Sequence, residues 1–142
     1  MFGGMPLKNS KVSAGGVGKH VTKQGMTKCS ENGVEFINIS PIQDDAPSFL
    51  NAKQVPIRPN TDTALMLALA NILIKNGTYD KSFIKKYTVG FDSFADYVLG
   101  KKDNPDCTPE WASQITNIPV DSIKELAEKI ISKKTMISIS WS

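Results

Sequence analysis

Ile57-Arg58-Pro59-Asn60-Thr61-Asp62-Thr63-Ala64-Leu65-Met66-Leu67-Ala68-Leu69-Ala70 carries the end of an apolar strand directly into a helix whose first turn holds an acid. Pro59 fixes its own backbone and disfavours helix at Arg58, so the helix cannot begin earlier. Asn60 and Thr61 are residue types that cap exposed N–H groups, and a dozen strong helix formers follow. A strand that hands over to a helix start in this way aims free N–H groups and the positive end of the helix dipole at whatever lies beyond the sheet edge. The same pattern also describes a capped core helix that meets no ligand, so the stretch alone leaves both readings open.

Outward from it, the helix is expected over residues 61–76, stopped by Gly77. Leu65, Ala68, Leu69, Ile72 and Leu73 recur at helical spacing, and Leu67 and Ala70 broaden the stripe, which predicts burial on more than one face. Upstream, residues 53–57 read as a strand with edge character because Pro56 lacks a ladder donor. Residues 43–52 read as a short helical turn, and Val34 to Ile39 as a β-rich run ending at Ser40-Pro41. Before that run, a helix over about residues 19–30 is closed by Asn32-Gly33, with His20 on its surface, and Gly15, Gly16 and Gly18 punctuate a loop.

Downstream, three shorter helices are expected: 80–86, 93–99 stopped by Gly100, and 109–115 with Thr108 as N-cap and Pro109 in the first turn. Phe83, Tyr87, Phe91, Phe94, Tyr97 and Trp111 are expected to pack between them. Ile123, Leu126, Ala127, Ile130 and Ile131 mark an amphipathic helix over 120–132 that leads into a strand at 135–141. Met1-Phe2-Gly3 resembles the last residues of a strand, since a loop, a helix and a parallel strand normally follow one. These elements predict an α/β, Rossmann-like layered fold with a mostly parallel sheet flanked by helices, in a single domain over residues 1–142 that is incomplete and belongs to a larger protein.

The chain has 142 residues, 40% of them hydrophobic and 22% charged, close to an ordinary soluble domain. No apolar run approaches the roughly 20 residues that cross a bilayer, so no membrane span is expected. The net charge of +3 comes from 17 basic and 14 acidic side chains spread along the chain. That dispersal lacks the dense basic stripe with interleaved aromatics of a nucleic-acid surface. Cys29 and Cys107 stand far apart and His20 is the only histidine. Free thiols in a reducing compartment are favoured, with a disulfide between them as the alternative. So few proton-shuttling groups leave no Ser-His-Asp or Cys-His machinery, and no catalytic or metal-ligating residue is assigned.

The turns at the carboxyl edge of a parallel sheet are where open α/β folds bind ligands. Three are expected to share that edge: Gly3-Gly4-Met5-Pro6, the run Ser40-Pro41-Ile42-Gln43-Asp44-Asp45, and Pro59-Asn60-Thr61-Asp62. Small residues let backbone approach phosphate oxygens, Ser40 or Asp44 suits a ribose hydroxyl, and the Asp62 carboxylate is a two-point acceptor for the N1–H and N2–H of guanine. Gly3-Gly4 lacks the G-x-G-x-x-G spacing of an ordinary dinucleotide fingerprint.

The run from Pro56 to Ala70 resembles the bis-molybdopterin guanine dinucleotide oxidoreductases, in their dimethyl sulfoxide, trimethylamine N-oxide and biotin sulfoxide reductase branch. So do Tyr79-Asp80-Lys81-Ser82-Phe83, Tyr87-Thr88-Val89-Gly90-Phe91-Asp92, Tyr97-Val98-Leu99-Gly100, Thr108-Pro109-Glu110-Trp111-Ala112 and Thr135-Met136-Ile137-Ser138-Ile139-Ser140-Trp141-Ser142. The resemblance covers nearly the whole chain and implies the middle portion of such an enzyme. It implies a fragment of a molybdenum-dependent S-oxide or N-oxide reductase that holds part of the site for one molybdopterin guanine dinucleotide and is inactive alone.

The same resemblance places the loop from Gly3 to Ser10, with Gly3, Gly4, Pro6, Lys8 and Asn9, and Ser40-Pro41 along the phosphates and ribose of the tail, and Asp44 is counted with them as cofactor-binding. Asn60, Thr61 and Asp62 would meet the guanine, and Pro59 beside them is counted as cofactor-binding. Met5 stands where the family usually has Asn or Asp, and Gln43 where many members carry a basic residue. The implied partners are the dinucleotide and the remainder of the enzyme, with self-association through exposed edges also open and the compartment of the parent enzyme undetermined. A non-catalytic interaction module reusing the fold without cofactor is the rival reading, and an ordinary nucleotide-binding domain the third.

Overall fold

A computed structural model describes residues 1–8 and 20–139. It divides into two compact units, the first formed by residues 1–57 with the chain from Ile137 on, the second by Arg58–Met136.

The first unit is built on parallel pairing. β1 (Ile37–Ile39) and β2 (Lys53–Val55) run parallel, with Ile37 opposite Lys53, Asn38 opposite Gln54 and Ile39 opposite Val55. Phe2 extends the order by single parallel bridges to Ile39 on one side and to Ile139 on the other. The backbone bonds follow the slanted parallel pattern, with Ile39 N–H donating to Met1 O at 2.8 Å, Gly3 N–H to Ile39 O at 3.0 Å and Phe2 N–H to Ser138 O at 2.9 Å. Register therefore puts Phe2, Ile39 and Val55 on one face, where all three are buried, and Asn38 and Gln54 on the other.

The strand expected over 135–141 is realised, among the described residues, only as the bridge at Ile139; Met136 and Ile137 are exposed. Its β-branched composition favours a strand, but a ladder needs a neighbour at each position, and Thr135 to Ser138 adopt no strand. α1 (Thr22–Glu31) precedes β1 and packs against the 3-10 turn Ser48–Leu50, with Met26 and Leu50 buried. It starts later than expected, leaving His20 exposed ahead of it rather than on its surface. Asn32 and Gly33 close it: Gly33 sits at φ +77°, and Val34 N–H reaches back to Cys29 O at 3.0 Å. The expected turn at 43–52 splits into two 3-10 turns, Gln43–Asp45 and Ser48–Leu50, because Pro47 cannot continue a helical hydrogen-bond run.

The second unit is helical. α2 (Asp62–Asn76) is its centre, packed by α4 (Phe91–Val98), α5 (Pro109–Thr116) and α6 (Val120–Ser132), with α3 (Lys81–Tyr87) between α2 and α4 in the chain. Ala64, Leu65, Ala68, Leu69 and Asn71 of α2 are buried, a face broad enough to meet three helices. Gly77 ends α2 in the left-handed region, where its N–H reaches Ile74 O and Thr78 N–H reaches Leu73 O. Asp80 caps α3 by accepting from Phe83 N–H, and Thr108 caps α5 by accepting from Trp111 N–H at 3.1 Å, with Pro109 in the first turn.

The core of this unit is aliphatic: Leu65, Val98, Ile118 and Ile123 are fully buried. The expectation that the aromatics pack between the short helices is corrected for four of them, since Phe83, Tyr87, Phe94 and Tyr97 are exposed. Two local ring pairs form instead. Phe83 and Tyr87, one helical turn apart, have ring centroids 4.9 Å apart, and Tyr79 meets Phe91 at the same distance. Periodicity reports which residues share a face, not whether another element covers it.

A polar tie that starts at the buried Asn71 and ends on the exposed Asp106 replaces them as the connection between α2 and the segment after α4. Asn71 donates to Val98 O at 3.0 Å and to the Asp106 carboxylate at 2.7 Å, and Lys75 reaches the second carboxylate oxygen at 2.8 Å. The Lys75 bond holds the Asp106 carboxyl below its ordinary range, opposed by desolvation and helped by the Asn71 bond. Beside it, burial and then the Asp106 charge push the Cys107 thiol up, which makes it a poor nucleophile. Cys29, in the first unit, is exposed, and both cysteines are free.

Candidate functional site

In the first unit, two of the turns expected at the carboxyl edge meet. Gly3 and Gly4 follow Phe2 at φ +73° and +76°, left-handed conformations that leave this turn to glycine. The run Ser40 to Asp45 follows β1 at the same edge, and Met5 N–H donates to Asp45 O at 2.7 Å. The approach is close enough that a Cβ built on Gly4 would lie 2.3 Å from Asp45 Cβ and 2.7 Å from Asp45 O. Gly4 is thus required twice, by its backbone angle and by the atoms beside it.

The second turn is held from inside. Ser40 is 1% exposed; its hydroxyl donates to the Asp45 carboxylate and accepts from Ile42 N–H at 3.1 Å. Its carbonyl accepts from the Gln54 side chain at 2.7 Å, and Gln54 Oε1 accepts from Asn38 Nδ2 at 2.7 Å, so the polar face of β1 and β2 runs into the turn. Asn38 Oδ1 is buried and has no partner among the described residues. Such an orphaned acceptor is uncommon in a native interior.

These contacts sort the residues singled out in the sequence. Gly3, Gly4 and Pro6 lie in the first turn and Ser40, Pro41 and Asp44 in the second, and the structure brings the two turns together. Pro41, Asp44 and Lys8 are exposed, whereas Ser40 is enclosed with its hydroxyl committed to Asp45. Asn9 lies outside the described residues. Of the first turn's amides, Gly3 donates to Ile39 O and Met5 to Asp45 O, while Gly4 N–H makes no hydrogen bond among the described residues.

In the second unit, the start of α2 is organised by Arg58. Its backbone N–H donates to Thr116 O and its guanidinium to Ile115 O, both at 3.0 Å, which satisfies carbonyls at the open end of α5. Asn60 turns the chain at φ +63°. The capping role expected of Asn60 and Thr61 is corrected: no side chain caps α2, because the Thr61 hydroxyl turns back to Arg58 O at 2.6 Å. The first-turn N–H groups are therefore left without a side-chain acceptor, next to Asp62, which is half-buried, with Pro59 and Asn60 exposed.

Sequence reading missed Asp45, Asn38, Gln54 and the part played by Arg58. Asp44-Asp45 presents two adjacent acids, and nothing in the order of residues says which faces Ser40. Asn38 and Gln54 become recognisable as a pair only through strand register, which places them opposite each other.

The geometry defines an α/β chain whose parallel strands carry tight turns at their carboxyl edge, the class in which such edges hold ligands. No family model matches the sequence. The fold is that of a segment of acetylene hydratase from Pelobacter acetylenicus, with a TM-score of 0.68 at 23% identity over 87% of this chain and 16% of that one.

Curated relatives are closer in sequence. Biotin sulfoxide reductase of Cereibacter sphaeroides is 38% identical over 100% of this chain and 19% of its own length, and dimethyl sulfoxide/trimethylamine N-oxide reductase of Rhodobacter capsulatus 39% identical over 96% and 16%. Trimethylamine-N-oxide reductase of Haemophilus influenzae is 40% identical over 80% of this chain and 14% of that protein. The chain belongs to the molybdopterin oxidoreductase family and spans less than a fifth of the length of these relatives.

Proposed function

We propose that this chain is the part of a molybdopterin-dependent S-oxide or N-oxide reductase that contributes to the site of one molybdopterin guanine dinucleotide. The observation that carries the reading is 38% identity to a biotin sulfoxide reductase across all 142 residues. The residues fit such a tail chemically. Gly4 is buried and its amide makes no hydrogen bond among the described residues, Lys8 is an exposed cation suited to phosphate, and Asp44 is an exposed acceptor suited to ribose hydroxyls.

In the second unit, uncapped N–H groups at the start of α2 suit the electronegative edge of a purine, and Asp62 suits the N1–H and N2–H of guanine. The bound cofactor supplies oxygen-atom transfer in the complete enzyme. The residues of this chain bind and orient its tail, and none of them is assigned a catalytic step.

Calorimetric titration tests this. The chain is expected to bind GDP in preference to ADP, and Asp62→Asn to weaken GDP by about 1 kcal/mol, roughly five-fold, since partial exposure discounts a charge-assisted bond. Equal affinity for ADP and GDP refutes guanine reading by Asp62.

A further inference from the structure

We propose that Asp45 and Ser40 are positioning residues that set the Gly3–Met5 turn for the diphosphate of the tail without touching it, an inference that rests on the nucleotide reading above. The carbonyl oxygen of Asp45 and one of its two carboxylate oxygens are already engaged within the protein. Its carbonyl accepts from Met5 N–H at 2.7 Å, and its carboxylate accepts from the Ser40 hydroxyl. Its Cβ occupies the place where any side chain at position 4 would be.

Ser40 is in turn anchored. Its hydroxyl oxygen accepts from Ile42 N–H, its carbonyl accepts from Gln54, and Gln54 is held by Asn38 on the neighbouring strand. A continuous chain of hydrogen bonds thus runs from the register of β1 and β2 through Ser40 and Asp45 to the first turn. Its far end is the left-handed pair Gly3 and Gly4, and among the described residues the Gly4 amide makes no hydrogen bond while those of Gly3 and Met5 on either side are committed. A turn that presents a single free amide is useful to an anion only if that amide is held still, because a mobile donor gives back its bond energy as ordering entropy.

A carboxylate facing a diphosphate directly would repel it, so the charge of Asp45 has a place here only as an acceptor turned inward to Ser40. The proposal therefore separates shape from charge. Asp45→Ala removes the acceptor, while Asp45→Asn keeps an oxygen that accepts from Ser40 and removes the charge.

The experiment measures, on the chain, GDP and guanosine affinity by calorimetry together with hydrogen exchange at the Gly4 and Met5 amides without ligand. Asp45→Ala is expected to weaken GDP about ten-fold, leave guanosine within two-fold and speed Met5 exchange ten-fold or more. Asp45→Asn is expected to recover most of both losses. Should Asp45→Ala fail to fold, Ser40→Ala carries the same expectation at about three-fold, with Ser40→Thr as its rescue.

Weaker GDP binding with unchanged Met5 exchange, or failure of Asp45→Asn to rescue, overturns positioning in favour of direct contact. Faster exchange with unchanged GDP affinity overturns it in favour of a purely structural tie. Absence of GDP binding by the unsubstituted chain overturns the nucleotide reading, and the proposal with it.

Discussion

Replacing Gly4 by alanine tests the closest approach in the first unit. Gly4 adopts φ +76°, a conformation costing an L-residue roughly 1–2 kcal/mol. The added Cβ would stand 2.3 Å from Asp45 Cβ, 2.7 Å from Asp45 O and 3.1 Å from Asp45 C. Two of those three atoms are backbone, and the turn carrying them is tied to Ser40, so relief requires the turn to move; overpacking of this kind costs about 1–3 kcal/mol. The sum is about 2–5 kcal/mol, a large share of the 5–15 kcal/mol typical of a whole domain.

Gly33→Ala is the control. Its φ is +77° but nothing lies within 4 Å of a Cβ there, so it carries the backbone cost alone. Urea unfolding followed by circular dichroism, with hydrogen exchange of the Ile39 amide that bonds to Met1 O, measures both variants. If Gly4→Ala is no more destabilising than Gly33→Ala, the Gly3–Met5 turn is not packed on Asp45 and the argument for the paired turns fails.

In the second unit, Leu65 is fully buried at the centre of α2, and Leu65→Ala is expected to cost about 2–5 kcal/mol in urea unfolding. Thr108→Ala removes the acceptor of Trp111 N–H at the start of α5; a loss of about 1 kcal/mol is expected, and Trp111 fluorescence can follow it. For Asp106, the bonds from Lys75 and Asn71 lower the folded carboxyl below its ordinary range. Its stabilising contribution is therefore complete above the unfolded carboxyl range near pH 4 and disappears as pH falls through the lowered folded value. Asp106→Asn should destabilise the chain at pH 7, and its difference from the parent should shrink as the pH is lowered below about 4, as thermal unfolding along that pH series would show.

Local chemistry was legible where it is self-contained. Asn32-Gly33 as a helix stop, Gly77 as the end of α2, and Thr108-Pro109 as the start of α5 depend on residues within one turn of each other, and each occurs as the pattern predicts. The apolar spacing found the buried Leu65, Ala68 and Leu69 of α2 and Ile123, Leu126 and Ala127 of α6 for the same reason, but it also included Ile131, which is exposed, and left out the buried Ala64 and Asn71. Thr61 shows the limit of this reasoning. It is a good capping residue in the right place, yet its hydroxyl bonds to Arg58 O, because Arg58 is itself drawn to the end of α5 by partners more than fifty residues away.

What the sequence by itself determined, then, is the class of chain, its helices with their stops, its parallel α/β character and its family, since each of these is encoded by neighbours in the chain or by the ordered run of motifs. Only the tertiary structure decided which polar side chains face one another. It chose Asp45 over Asp44 as the partner of Ser40, joined Asn38 to Gln54, enclosed Ser40, and left four of the aromatics exposed. The physical reason is that burial and hydrogen-bond partnership belong to pairs of segments. A strand register that sets Asn38 opposite Gln54 and a backbone approach that sets Gly4 against Asp45 are properties of two stretches at once, and neither stretch carries them alone.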